Sequence, residues 1–165
     1  MNSPILSVSI VLINLVAILS YVNGRVMNKQ AILETGRPVF LELGPRDPRS
    51  LMQGDYMVLR QGVIGPQHGN EMKEAPTRGR IVLALDGRNV GRFARLDDGG
   101  PLNDDETLLK YRRTREGYRF GLESFFFEEG EGEKYSGARY ANVRISDKGM
   151  PVLVDLVGEK LEALE

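Results

Sequence analysis

The chain has 165 residues, with 22 Lys+Arg against 23 Asp+Glu and a net charge of −1. Near-neutrality argues against a nucleic-acid binder, which carries a basic excess on one face, and no nucleic acid is expected as a partner. Cysteine is absent and His68 is the only histidine. Disulfides, thiol nucleophiles and thiolate or multi-histidine metal sites are therefore excluded, and neither a metal nor a cofactor is expected.

The charges are unevenly spread: the first charged side chain is Arg25. Residues 5–22 read ILSVSIVLINLVAILSYV. As a helix this run is roughly 27 Å long, close to the hydrocarbon thickness of a bilayer at about 30 Å. Its serines can bond back to helix carbonyls, and Tyr21 sits where an interfacial aromatic belongs. A cleaved signal peptide would show a basic leading region and a small-residue cleavage site, and neither is present, so an uncleaved anchor is favoured. The expected division is an anchor and juxtamembrane helix over residues 1–33 and a second domain over 34–165. Arg25, Lys29 and Arg37 follow the span and no basic residue precedes it. That bias alone would place the domain in the cytoplasm, but three residues are a weak signal. Asn14 lies mid-span, where its amide is either tolerated or bonded to a helix of a partner protein.

Residues 25–33 continue the helix until Gly36-Arg37-Pro38 ends it. Val39, Leu41 and Leu43 then alternate with Pro38, Phe40 and Glu42 as a strand would. Residues 55–61 predict a second strand, with Asp55, Met57, Leu59 and Gln61 on one face and Tyr56, Val58 and Arg60 on the other. Residues 80–85 and 90–96 flank Asp86-Gly87-Arg88-Asn89, a hairpin signal. Residues 107–113 and 118–123 flank Arg115-Glu116-Gly117, and residues 142–146 and 151–157 flank Asp147-Lys148-Gly149. Residues 130–141 suggest a short helix with Tyr135 and Ala138 on one face. Residues 62–77 and 97–105, rich in Gly, Pro, Asn and Asp, predict loops. Short strands with regular turn signals indicate a mainly β (or α+β) protein: an N-terminal transmembrane helix followed by a small antiparallel β-barrel or sandwich.

The most distinctive stretch is LGPRDPRSLMQGDYMVLRQ, residues 43–61. Asp47-Pro48 initiates a turn, and Arg49 can pair with Asp47 or Asp55. Gly54 supplies a tight bend before Asp55, whose carboxylate is expected to hold backbone amides or an arginine and so to be structural. Gly54-Asp55-Tyr56, two residues and then Leu59 resemble the signature of the GDYXXLXY-domain proteins, small membrane-anchored bacterial proteins. The resemblance extends to Asp47-Pro48-Arg49-Ser50-Leu51, to Phe126-Phe127-Glu128-Glu129-Gly130, and to Tyr135 and Tyr140. The signature ends in Tyr, and Gln61 stands there in this chain. The resemblance implies an inner-membrane anchor, an extracytoplasmic domain and a gene neighbourhood of multi-span membrane proteins. It implies no catalytic residue.

Ser50 before a Gly-Asp, in a β-rich domain behind an anchor, is similar in outline to bacterial signal peptidases. Such a Ser–Lys pair needs a desolvated lysine. Lys73 lies in a predicted loop, Lys148 in a turn, Lys134 in an acidic run and Lys110 beside Arg112 and Arg113. None has the apolar neighbours that role demands. The acidic run 128–133 lacks calcium-loop spacing, Asp97-Asp98 and Asp104-Asp105-Glu106 read as solvated loops, and His68 reads as exposed. Phe125-Phe126-Phe127 reads as core packing, the alternative being an apolar surface that meets a partner or the membrane. The function expected is thus a membrane-anchored accessory or binding module, held by lipid around its helix and by a multi-span membrane protein. The alternatives are a serine hydrolase using Ser50, and an extracytoplasmic small-ligand sensor with a pocket near Asp55 and Arg49.

Overall fold

The structure, a computed structural model, describes residues 4–44, 56–58, 62–65, 68, 72–73, 75–115, 117–127 and 131–164. Helix α1 runs Pro4–Thr35 without a break, 32 residues or about 48 Å. Val8–Thr35 is long and apolar enough to cross a membrane, and none of it is buried. Among the described residues, α1 approaches the sheet at strands β8 (Tyr140–Ile145) and β9 (Pro151–Val157). Gly36 ends the helix as expected: its N–H donates to Ile32 O at 2.9 Å. A Cβ at Gly36 would collide with that same carbonyl and sit 3.2 Å from Arg144 Cβ, so the junction closes only around glycine.

Arg37 then ties the start of the sheet to a distant loop. Its guanidinium donates to Asp104 O at 2.5 Å and to Glu106 O at 2.8 Å. Arg144 Nη1 donates to Gly36 O at 3.3 Å from the other side.

The remaining strands are β1 (Arg37–Glu42), β2 (Tyr56–Val58), β3 (Arg78–Leu85), β4 (Val90–Leu96), β5 (Glu106–Thr114), β6 (Gly117–Arg119) and β7 (Ser124–Phe126). Among the described residues they form a seven-stranded sheet in the order β6-β5-β3-β4-β1-β8-β9, and a two-stranded ribbon of β2 and β7. The three expected hairpins are all present. One pairing departs from the antiparallel expectation: β1 runs parallel to β4, with Leu41 beside Gly91. Inserting β1 between two completed hairpins fixes its direction by β8, with which it is antiparallel.

The sheet curls into a half-barrel. The β8–β9 turn reaches back to β5, where Gly149 O accepts Lys110 N–H at 2.8 Å. Gly149 takes φ +77°, and a Cβ there would meet Leu108 Cβ at 3.1 Å. The concave side holds Val39, Leu41, Ile81, Leu83, Leu109, Val143 and Leu156, all fully buried, from the alternate positions that period-two patterning selects. At the centre, Gly91 leaves room for Val39 and Leu83, whose methyls would lie 2.9 and 3.2 Å from a Cβ.

The predicted loop 62–77 is more than a loop. Met72 is fully buried, and Val63 and Ala75 are nearly so. Tyr118 donates its hydroxyl to Met72 O at 2.8 Å, and Arg113 donates to Lys73 O at 2.7 Å. Val63, Met72 and Ala75 join the core cluster of the sheet with side chains that strand patterning does not supply.

Candidate functional site

Of the residues carrying the signature, Asp47, Pro48, Arg49, Ser50, Gly54, Asp55, Leu59 and Gln61 lie outside the described residues, as do Glu129 and Gly130. Tyr56 is described through its backbone. It opens β2, paired with Phe126 of β7, while Met57 pairs with Phe125 and Val58 with Ser124. The signature strand and the phenylalanine run, nearly seventy positions apart in the chain, are therefore one ribbon.

A third segment joins them. A 3₁₀ helix spans Glu131–Gly137, where a short helix was expected. Its Tyr135 is buried and meets Phe125 edge-on, with ring centroids 4.8 Å apart and planes at 73°, and Phe127 at 5.6 Å. Lys134 Nζ lies 5.8 Å from the Tyr135 ring centroid, within cation–π range. Ala138 is buried beside it, and its N–H donates to Tyr135 O at 3.2 Å. Tyr140 follows as the first residue of β8, half-buried and paired with Glu42 and Val157. Glu42 O accepts Gly62 N–H at 2.8 Å, and Leu43 N–H donates to Arg139 O at 2.9 Å. All this gathers at the Glu42 end of β1, opposite the Arg37 end where α1 joins. The described part of the site is an aromatic cluster anchoring a ribbon, built for holding a shape.

The sequence's other candidates are placed as follows. Asn14 makes one bond within its own helix, Nδ2 donating to Ile10 O at 2.9 Å. His68 is half-buried, contrary to the exposed reading, because its ring packs at 4.5 Å on Phe93. The acidic loop is also more engaged than a solvated one. Asp97 meets Arg80 at 2.6 Å with its side chain 6% exposed, and Arg95 bridges Asp98 and Glu106 at 3.2 Å each. Asp98 also accepts Gly100 N–H; amide hydrogen bonding first and Arg95 second hold its carboxyl below the ordinary value. Lys73, Lys110 and Lys148 are exposed, and Lys134 is half-buried. Among the described residues no group of three or more His, Asp or Glu is placed to hold a metal ion.

A curled, mainly β half-barrel behind one long apolar helix is the class of protein these elements define. The family model described as GDYXXLXY protein matches residues 18–156, most of the chain, and the chain belongs to that family. The match begins within α1, so the second half of the helix belongs to the family's common unit. No curated protein and no solved structure matches the chain.

Proposed function

We propose that the protein is a membrane-anchored accessory or binding module of the bacterial inner membrane, with its domain outside the cytoplasm, working beside a multi-span membrane protein. The observation that supports this is α1. Val11, Ile13, Val16, Ile18 and Tyr21 are each at least 60% exposed, and the half-barrel covers none of them. In water such a surface would gain nothing from burial, whereas lipid or a neighbouring helix removes it from water. The anchor therefore acts as residues 5–22 within the bilayer, with residues 23–35 as a stalk of about 20 Å.

The test is to replace residues 5–22 by an unrelated apolar span and to crosslink in native membranes. Loss of co-purification with a multi-span protein, with the chain still membrane-bound, supports the reading. A mature protein that begins after residue 22 makes α1 a cleaved leader and ends it. An alkaline phosphatase fused after Glu165 should be active; inactivity puts the domain on the cytoplasmic side.

A further inference from the structure

Helix α1 carries a seam that lipid covers only in part. Leu12, Leu19, Val26 and Leu33 recur every seven residues, and Val8, Leu15, Val22 and Lys29 recur with the same period four residues before them. Alternating steps of three and four keep these positions on one side of a helix. Ser9, Asn14, Ser20, Tyr21 and Asn23 all fall off that side. The seven apolar members are all exposed.

On the anchored reading, lipid surrounds residues 5–22. It does not reach the stalk, where the seam continues in phase through Val26, 56% exposed, and Leu33, 42% exposed. The stalk also contains Asn23, Gly24 and Asn28, weak helix formers, yet α1 runs through them unbroken. A helix this short is marginal in water unless one of its faces is packed. The half-barrel does not cover this face, since Leu33 stays exposed even beside the junction.

We propose that α1 pairs with α1 of a second copy of this chain, as a parallel coiled coil running from the bilayer into the stalk. A partner on this seam has to be helical, run parallel and rise about 20 Å above the bilayer. A second copy does so by construction, and two-fold symmetry sets each seam position against itself. Most transmembrane helices cross at the angle of soluble coiled coils, so one seam serves both media. Its seven apolar side chains offer roughly 400–850 Å² per helix, and Val16 and Ile18 flank them. A stable interface of standard size takes about 600–1,000 Å² per partner.

The flanking polar groups are complementary. In a parallel pair Arg25 stands across from Gln30 of the second copy. Gln30 donates through Nε2 to Glu34 of its own helix at 3.2 Å, and its carbonyl oxygen is an acceptor for the guanidinium. Lys29 is the one polar member of the seam. Between two helices its stem lies along the apolar surface while the ammonium reaches water; a larger bundle would enclose the charge. Lys29 therefore weakens the pairing and restricts it to two chains. This pairing requires the uncleaved anchor proposed above and does not require the multi-span partner.

The chain has no cysteine, so single introduced cysteines report the seam directly. Val26→Cys and Leu33→Cys lie on it, Met27→Cys and Ala31→Cys lie off it, and all four sites are exposed. The full chain carrying each is oxidised with copper phenanthroline in native membranes. A disulfide-linked homodimer is expected at positions 26 and 33, in about fivefold or greater yield over positions 27 and 31. Lys29→Leu added to Val26→Cys should raise that yield, because it completes the apolar seam. Equal yields on and off the seam, no homodimer, no response to Lys29→Leu, or a cross-link to a different protein overturns the pairing while leaving the anchor intact. A mature chain shortened at its start overturns the pairing and the anchor together, which keeps the two failures apart.

Discussion

Tyr111 lies directly across the β3–β5 pair from Gly79, with its ring filling the space where a side chain at Gly79 would stand. A Cβ there would be 2.9 Å from the Tyr111 hydroxyl oxygen and 3.0 Å from Cε1. The hydroxyl is held by Pro76 O at 3.2 Å, and the ring meets Tyr118 edge-on at 5.9 Å. The glycine weakens its strand locally, and the aromatic covers the exposed backbone. Gly79→Ala should therefore cost about 1–3 kcal/mol through overpacking, read by urea denaturation. A neutral result would mean the ring swings aside freely.

Burial, reinforced by Tyr118 and opposed by Arg113, pushes the Tyr111 hydroxyl above its ordinary value of 10.0. The folded state thus disfavours the phenolate. Stability present at neutral pH should decline as pH rises past the unfolded value, and Tyr111→Phe should lack that component. Paired denaturation curves at rising alkaline pH read the difference, and parallel curves would refute it.

At the β3–β4 turn, Asp86 Oδ1 accepts Arg88 N–H at 2.8 Å and Val90 N–H at 2.9 Å, and Asn89 takes φ 61°. These amides, Val90 first, hold the carboxyl below its ordinary 3.8. The contribution is complete above the unfolded value and is lost as pH falls through the lower folded one. Asp86→Asn keeps the acceptor, so the hairpin should persist while this acid-dependent component vanishes. Asp86→Ala should lose both. An acid-titration series of melting temperatures distinguishes the three chains.

Gly36→Ala should disrupt the junction, since the new methyl meets the Ile32 carbonyl. The expected sign is increased protease cleavage between α1 and β1, with the half-barrel itself intact. Unchanged cleavage would show that the helix end gives way without strain.

Tyr135→Ala should remove the keystone of the aromatic cluster at a cost of about 3–5 kcal/mol. Tyr135→Phe keeps the ring contacts with Phe125 and Phe127 and should lie far closer to the parent. If the phenylalanine variant falls as low as the alanine one, the hydroxyl matters more than the ring.

Much of the fold was legible because it is local. The apolar run before Arg25, the glycine at 36 and the turns at Asp86-Gly87, Gly117 and Gly149 each act within a few residues. What could not be read was whatever depends on distant pairing. Nothing in residues 37–42 announces a parallel neighbour 50 positions on. Met72 and Val63 sit among turn-forming residues, and only the curl of the sheet turns them into core. The candidate site was half legible. Tyr56, the phenylalanines and Tyr135 stood out by residue type, but their convergence required the β2–β7 pairing.

Gly36, Arg37 and Arg144 join α1 to the sheet at a tight junction; on the anchored reading proposed above, the helix and the domain would then move as one lever. Transmembrane helices commonly tilt by about 20°, and a stiff stalk of about 20 Å converts that into a sideways displacement of about 7 Å where it meets β1. The aromatic ribbon at the far end of β1 would sweep further still. A change in bilayer thickness, or in the packing of a neighbouring span, would reach that rim as motion.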